Sequence, residues 1–225
     1  MVEPLVDARG AARTYRRGGA LVQAVTSATC RIFPRDRVAV VGPSGSGKST
    51  LLHLMGGLDE PTAGAVTWPA LGAVDHLRPR QVSFVFQMPS LLPALTVVEN
   101  VELPGLMGNS GGAGRGAAMA ALARLGLAEI AEKLPEELSG GQAQRVAMAR
   151  AIAGVPRLIL ADEPTGQLDR VTGRHLLDAL LGHLANTDAA LVIATHDLSV
   201  AERMDAIWQM QRGILDCPRA EDTAA

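Results

Sequence analysis

Aromatic residues and cysteines are scarce in this sequence. Phe, Trp and Tyr together make up 3% of its 225 residues, whereas apolar residues of all kinds make up 48%. A sizeable core can therefore form, but it must be built from Leu, Val, Ile, Ala and Met. The two cysteines, Cys30 and Cys217, lie far apart and form no CxxC pair. This argues against a disulfide framework or a zinc site and favours a reducing cytoplasm.

Long apolar runs and blocks of one charge are also missing. No apolar stretch reaches the roughly 18 residues of a membrane-spanning helix, so another chain must hold this one at any membrane. The opening residues, MVEPLVDARG, contain early acidic side chains and no apolar core, and we expect no signal peptide. The formal net charge is -2 and neither half carries a strong basic block, which argues against nucleic acid as a partner.

Four short apolar runs have the pattern of strands covered on both faces, because their apolar residues are continuous rather than alternating. They are residues 38–41, 82–86, 158–161 and 191–194. Helical stripes lie between them, and their members are Leu51, Leu54, Met55 and Leu58 in one case and Leu176, Leu177, Leu180, Leu181 and Leu184 in the other. Strands interleaved with helices predict an α/β fold with a mainly parallel sheet.

The stretch from about residue 89 to residue 154 is different, since it is rich in Ala and Leu and shows no clear strand. We therefore expect a single domain over residues 1–225, with a core of about 1–88 and 155–217 and an inserted helical lobe of about 89–154. Residues 105–116, GLMGNSGGAGRG, are rich in glycine and predict a flexible loop within the lobe. We expect the tail, residues 218–225, to be disordered.

A glycine-rich stretch with one lysine follows the run 38–41. It fits the pattern G-x-x-x-x-G-K-[ST] and consists of Gly42, Pro43, Ser44, Gly45, Ser46, Gly47, Lys48, Ser49 and Thr50. Glycines let successive N–H groups turn inward around phosphate oxygens, and the next helix adds its positive N-terminal end. Lys48 can neutralise the β and γ phosphates, and Ser49 can offer its hydroxyl to Mg²⁺. A plain Gly/Ser turn is the alternative, but the order strand, loop, amphipathic helix favours a phosphate loop.

Two carboxylates end the run 158–161. Neighbouring strand residues point to opposite sides, so Asp162 and Glu163 can have different tasks at the edge where ligands of open α/β sheets lie. Asp162 would support the Mg²⁺ shell and Glu163 would polarise an attacking water. Taken without the phosphate loop, the pair could equally be two solvated acids at the end of a strand.

Polar residues also follow the other two runs. His196 comes after 191–194 and could donate to a γ-phosphate, while Gln87 comes after 82–86 and could reach the metal or its water. The remaining four histidines show no ligand spacing.

A second anion site is indicated at LSGGQ, residues 138–142, which opens a helix over 142–153. Ser139 is a good N-cap, and Gly140 and Gly141 leave backbone N–H groups accessible. In isolation this is an ordinary helix cap. Next to a phosphate loop elsewhere in the chain, it indicates contact with a different nucleotide.

The LSGGQ stretch, followed by Ala-Gln-Arg145, resembles the signature motif of ABC-type ATPases, and the other motifs of that family occur in its order over about residues 6–215. The resemblance implies a P-loop NTPase core with a small antiparallel β region at its N-terminal side. It also implies ATP and Mg²⁺ as cofactors, with Ser49, Gln87 and Asp162 around the metal. Catalysis would fall to Lys48, Glu163 and His196. Tyr15, the only tyrosine, would stack on adenine, although a surface aromatic in a β region is the alternative reading.

The same resemblance implies that two subunits pair head to tail, either as a homodimer or with a related ATPase. Each ATP would then lie between the phosphate loop of one subunit and the signature of the other, which supplies Ser139, Gly140, Gly141 and Gln142. Asp169, in the family's D-loop, would couple the two sites.

A narrower resemblance comes from FVFQMPSLLPALTVVENVELP and DEPTGQLDRVTG, which are similar to lipoprotein-releasing, macrolide-efflux and cell-division ATPases. It implies a cytoplasmic subunit held on the inner face of the membrane by a separate permease, which works in export or extraction. The permease would touch the chain just after Gln87, and residues 91–98 could supply that surface, although core packing explains many of them equally well.

Two other functions stay open. One is a non-transport mechanical complex that activates an extracytoplasmic enzyme. The other, a soluble ABC protein on DNA or ribosomes, would need a long coiled coil or a second cassette, and the sequence has neither. The chain departs from the subgroup at residues 68–81, at 105–116 and at Gln167, where Asn or Ala is usual.

Overall fold

Nine strands and six α-helices occur in the part of the chain that the computed structural model describes, residues 2–107 and 114–218. The strands are β1 (Val6–Arg17), β2 (Ala20–Ile32), β3 (Arg37–Val41), β4 (Ala63–Thr67), β5 (Val82–Val85), β6 (Leu158–Asp162), β7 (Ala190–Thr195), β8 (Ala206–Gln211) and β9 (Ile214–Asp216). The helices are α1 (Lys48–Met55), α2 (Val97–Met107), α3 (Arg115–Arg124), α4 (Gly140–Ala153), α5 (Arg170–Leu184) and α6 (Leu198–Ala201).

These elements fall into two compact units. One comprises residues 2–77 with 190–218, and the other comprises the described part of 78–189. The division predicted from sequence, a core of about 1–88 and 155–217 with a helical lobe of about 89–154, stays a prediction. The expected disordered tail lies outside the described residues except for Pro218.

The first unit is built on a mixed sheet with the strand order β4-β1-β2-β9-β8-β3-β7. Its phosphate-loop strand, β3, runs parallel to both β7 and β8. Among the described residues of this unit, the antiparallel pairs are β1 with β2, β1 with β4, and β8 with β9. The antiparallel region predicted at the N-terminal side is therefore confirmed, and the phosphate loop starts from a parallel part of the sheet.

The second unit contains the parallel pair β5 and β6, with Val82 opposite Leu158 and Val85 opposite Ala161. Helices α2, α3 and α4 pack on one another, and α4 also packs on β5. No strand lies in the described part of residues 89–154, in agreement with the Ala- and Leu-rich sequence there.

Buried aliphatic strands form the cores of both units. All residues of β6 and β7 are buried, as are four of the five residues of β3. Among the twelve largest fully buried side chains of the described residues, only Trp208 is aromatic. The apolar runs of β3, β6 and β7 were thus correctly interpreted as strands covered on both faces, whereas Ser83 and Phe84 of β5 are only half-buried.

Two local predictions need correction. Helix α1 ends at Met55, so Leu58 does not continue its apolar stripe and is 40% exposed. Residues 105–107 belong to α2 and residues 115 and 116 to α3, so the ends of the predicted glycine-rich loop are helical; its centre, 108–113, lies outside the described residues. Within residues 2–107 and 114–218, no helix is both long and apolar enough to cross a membrane.

Candidate nucleotide site

The loop after β3 turns so tightly that only glycine fits at two of its positions. Gly47 has φ +106°, in the left-handed region that glycine adopts without strain. A Cβ atom on Gly47 would lie well under 3.0 Å from the carbonyl oxygen of Ala24, and one on Gly42 equally close to that of Met210. Carbonyl groups of β2 and β8 therefore enforce glycine at these two positions, whereas the role predicted for the loop glycines around phosphate oxygens stays a prediction.

Helix α1 presents an uncapped N-terminus at the end of this loop. Its N-cap, Gly47, offers no side-chain hydrogen bond, and no acidic residue lies in the first turn. In contrast, Ser139 caps α4 and Asp169 caps α5 with their own side chains. The first-turn N–H groups of α1 therefore fit the phosphates of a bound nucleotide, both by hydrogen bonding and by the helix dipole.

Lys48 lies over the loop that precedes it. Its residue is 7% exposed, and its Nζ donates to the carbonyl oxygens of Gly42 (2.8 Å) and Pro43 (3.1 Å). These neutral acceptors hold a buried ammonium at the mouth of the loop, where an incoming phosphate can replace them with a stronger charge-assisted bond.

His196 belongs to the same sheet edge as the phosphate loop. Val41 and Thr195 are paired across the parallel strands β3 and β7, so the residues that follow them leave the sheet side by side. Asp197 N donates to Thr195 Oγ1 (3.0 Å), and the Asp197 side chain caps α6. The tight turn between β7 and α6 leaves His196 exposed at this edge of the sheet, and its contact with a γ-phosphate stays a prediction.

Tyr15 is held in β1 by two charged neighbours. Its hydroxyl donates to Asp59 Oδ2 (2.6 Å), and the Arg13 guanidinium carbon lies 4.7 Å from its ring centroid. Neither neighbour has a role predicted from the sequence. Arg13 could have been found from its spacing, because residues i and i+2 of a strand share a face. Asp59 lies 44 residues away and has no such signal.

In the second unit, the ends of β5 and β6 bring Gln87 together with the acidic pair. Val85 is paired with Ala161, so Gln87 and the two acids follow the paired ends. Asp162 is 7% exposed and Glu163 is 9% exposed. Glu163 has φ +45°, an unusual conformation for a residue with a side chain, and such strain persists where the surrounding structure enforces it.

Two glutamine amides hold the backbone at the start of the loop after β5. Gln144 of α4 is fully buried, and its Nε2 donates to Phe86 O (3.2 Å). Gln167 Nε2 donates to the next carbonyl, that of Gln87 (3.4 Å). Gln167, which departs from the subgroup pattern, thus connects the segment before α5 to the loop that carries Gln87.

The signature and the D-loop line one cavity of about 470 Å³. Ser139 and Gln142 form a reciprocal capping box, in which Ser139 Oγ accepts from Gln142 N (3.2 Å) and Gln142 Oε1 accepts from Ser139 N (2.9 Å). This box does not use the amides of the two glycines between them. The cavity is lined by Ser139, Gly140, Gly141, Gln142, Arg145, Gln167, Leu168, Asp169 and Thr172.

Asp169 enters this cavity as the N-cap of α5. It accepts hydrogen bonds from the Thr172 hydroxyl (2.6 Å) and from the backbone N–H groups of Thr172 and Val171 (3.0 Å each). The Thr172 hydroxyl, followed by these N–H groups, lowers the pKa of Asp169. Asp169 is therefore an ionised carboxylate at neutral pH, with a structural role that the sequence did not indicate.

The segment after Gln87 is only partly exposed. Met88 and Leu92 are 76% and 48% exposed, whereas Val97 and Val98 are fully buried at the start of α2. The core interpretation is therefore correct for Val97 and Val98. The fully buried Asn100 holds the exposed part in place by accepting from Leu92 N and donating to three carbonyl groups.

Comparison with known proteins identifies the family. The model of the family described as "ABC transporter" matches residues 25–166, which is more than half of the chain. The chain belongs to the ABC transporter family. A lipoprotein-releasing system ATP-binding protein, LolD of Legionella pneumophila (strain Paris), is 43% identical over 214 residues, covering 90% of this chain and 93% of that protein. The macrolide export ATP-binding/permease protein MacB of Sodalis glossinidius is 42% identical over 221 residues, which are 34% of its length.

A solved structure gives the same result for the fold. The dimeric, post-hydrolysis structure of the ATP-binding cassette MJ0796 with ADP and Pi has a TM-score of 0.86, with 36% sequence identity over 95% of this ABC chain and 99% of that one. The predicted P-loop fold is confirmed, and this ABC protein is an ATP-binding and ATP-hydrolysing subunit.

Proposed function

We propose that this ABC subunit hydrolyses Mg²⁺–ATP in two composite sites of a head-to-tail dimer, with the residues predicted from its sequence. The uncapped N-terminus of α1 behind the loop of residues 42–50 is the observation that carries the proposal. It combines first-turn N–H groups that no N-cap side chain satisfies, a buried lysine and two positions where only glycine fits. This combination suits a polyphosphate.

In each half of the dimer, the loop amides and Lys48 bind the β and γ phosphates, and Tyr15 stacks on the adenine. Ser49, Gln87 and Asp162 would hold Mg²⁺. When it is bound, this ion would neutralise the negative charge that develops on the phosphate oxygens in the transition state. Hydroxyl, amide and carboxylate oxygens are the ligands that Mg²⁺ prefers, so this set fits the metal. Glu163 orients a water in line with the γ-phosphorus, and His196 donates to a γ-phosphate oxygen.

The attacking water forms a new bond to the γ-phosphorus, and the bond from that phosphorus to the β–γ bridging oxygen breaks, which leaves ADP and phosphate. Ser139, Gly140, Gly141 and Gln142 contact the ATP of the opposite subunit, and Asp169 couples the two sites. Closure and opening of the dimer then act on the permease as a two-state switch.

The test is Glu163→Gln, with Glu136→Gln at an exposed position as the matched control. We expect Glu163→Gln to lower turnover by about a hundredfold or more, the range for loss of a general base, while ATP still binds. ATP-bound dimer should then accumulate on a sizing column. Parent-like turnover in Glu163→Gln would show that another group activates the water.

For the coupled process, we propose extraction or export from the membrane, of the lipoprotein-releasing type. The LolD relatives are separate ATP-binding proteins matched over 93% or more of their length, whereas MacB is a fused ATP-binding/permease protein. The exposed side chains of Met88 and Leu92 would contact the permease, which would hold the chain on the inner face of the membrane. Identifying the integral protein that co-purifies from detergent-solubilised membranes tests this, and a permease of a different transport class would contradict it.

A further inference from the structure

The ring of Tyr15 is fixed by more contacts than a stacking surface requires. One carboxylate, that of Asp59, accepts from the Tyr15 hydroxyl through Oδ2 (2.6 Å) and pairs with Arg13 Nη2 through Oδ1 (2.7 Å). The Arg13 guanidinium in turn lies over one face of the Tyr15 ring, 4.7 Å from its centroid. The three side chains thus form a closed triangle, in which each member restrains the other two.

Asp59 is itself rigidly placed. Its backbone N–H, like that of Leu58, donates to His53 O at the end of α1, the helix that begins in the phosphate loop. Three residues later, Thr62 N donates to Ala12 O (2.7 Å), and Thr62 Oγ1 accepts from Thr14 N (3.2 Å). The segment that carries Asp59 therefore joins the far end of α1 to the strand that carries Tyr15.

The triangle is charged at neutral pH. The Asp59 side chain is 18% exposed, and burial raises its pKa. Hydrogen bonds from the Tyr15 hydroxyl and the Glu60 N–H, together with the charge of Arg13, outweigh that effect and leave the pKa below its ordinary value. An ionised Asp59 holds the phenol and the guanidinium with charge-assisted hydrogen bonds.

The ring also has a fixed relation to the phosphate loop. Tyr15 is paired with Val22 of β2, and two residues further along β2 is Ala24, whose carbonyl lies against Gly47. Tyr15 is half-buried, and Arg13 covers one of its two faces. The opposite face is the one that a base can stack on.

We propose that Asp59 and Arg13 are positioning residues that lock the Tyr15 ring as a preformed platform for adenine, an inference that rests on the stacking role proposed for Tyr15. A ring already fixed in place loses no further rotamer freedom when the base binds. Releasing it should weaken the binding of a base-bearing nucleotide about threefold to tenfold, the range for immobilising one side chain. The affinity for a ligand that carries no base should stay the same.

Titration calorimetry with ADP and with inorganic pyrophosphate separates these contributions, since both occupy the phosphate loop and only ADP carries a base. We expect Asp59→Ala and Tyr15→Phe each to weaken ADP about threefold to tenfold and to leave pyrophosphate unchanged. The double variant should lose less than the two single losses combined, because both break the same contact. Asp59→Asn, which keeps an acceptor for the Tyr15 hydroxyl, should recover part of the loss. Glu60→Ala, an exposed acid next in sequence, is the control and should bind both ligands like the parent.

Three outcomes would overturn the inference. Equal losses for ADP and pyrophosphate would mean that Asp59 only supports the fold of the loop. Unchanged ADP affinity in both Asp59→Ala and Tyr15→Phe would mean that the ring needs no anchor. Tighter ADP binding in Arg13→Gln would mean that the guanidinium occupies the face the base uses. Failure of the proposed nucleotide site would give a different result. If the phosphate loop did not bind these ligands, Lys48→Ala would bind ADP and pyrophosphate as tightly as the parent does.

Discussion

Replacing Gly42 by alanine should damage both the fold and the nucleotide site. A Cβ atom at this position would lie 2.0 Å from Met210 O and 2.8 Å from Ser46 Oγ, where ordinary contact begins at 3.4 Å. Met210 belongs to β8, and its neighbours in that strand are paired with β3, so its carbonyl cannot retreat without disturbing the sheet. Overpacking of this kind costs about 3 kcal/mol of unfolding free energy.

For a chain of this length, that loss corresponds to a fall in melting temperature of roughly 6–12 °C. The loop must also shift away from β8, so its N–H groups no longer converge. In the parent, ADP at a hundred times its dissociation constant should add about 2.7 kcal/mol of stability, and this gain should vanish in Gly42→Ala. Thermal melts of both proteins with and without ADP measure the two effects together.

Gly72→Ala is the matched control. Gly72 has φ +94° and no atom within 4 Å of its would-be Cβ, so alanine there meets only the left-handed penalty of about 1–2 kcal/mol. We expect it to melt somewhat lower than the parent and to keep the full response to ADP. If Gly42→Ala melts within 2 °C or so of the parent and responds normally to ADP, the clash with Met210 is not a real constraint.

Two further predictions concern buried polar groups. Hydrogen bonding by Arg9, and the charges of Arg9 and Arg31, lower the pKa of Asp7 although its burial acts in the opposite direction. The ionised form of Asp7 therefore stabilises the fold at pH values above the ordinary carboxyl pKa, and this contribution disappears as pH falls through the lowered pKa. Asp7→Asn should therefore reduce the unfolding free energy by about 2 kcal/mol at pH 7 and by much less near pH 3. Denaturant titrations of the parent and the variant at both pH values measure this difference, and an equal loss at the two pH values would contradict the role given to the ionised carboxylate. Burial raises the pKa of the Cys30 thiol, so an alkylating reagent should modify the half-buried Cys217 first and Cys30 only on unfolding. Mass spectrometry measures the two rates, and equal rates would mean that β2 opens in the native protein.

Some features of the fold followed directly from sequence because they depend on short stretches of chain. The continuous apolar runs before Gly42, Gln87, Asp162 and His196 became strands within one or two residues of their predicted ends. A strand buried on both faces needs apolar residues at every position, which leaves a clear local pattern. Helix ends were harder to place, because α1 stops at Met55 although Leu58 continues the apolar spacing.

The motifs around the phosphate loop are another case of local determination. Glycine at positions 42 and 47 is required by the close approach of neighbouring backbone, and α1 begins at the lysine that ends the pattern. What the motif did not reveal is which chain segments enforce the tight turn. Those are the carbonyls of Ala24 and Met210, which come from strands on either side of the loop in sequence.

The sequence by itself determined the alternation of strands and helices, the phosphate-binding loop and the set of polar residues at strand ends, since each depends on neighbours a few positions away. Only the tertiary structure decided how Asp59 meets Arg13 and Tyr15, and how Gln144 and Gln167 hold successive carbonyls after β5. These contacts join residues that lie between 44 and 80 positions apart in the sequence. No local periodicity records such a pairing, because the chain brings the partners together only when its strands have been placed in order.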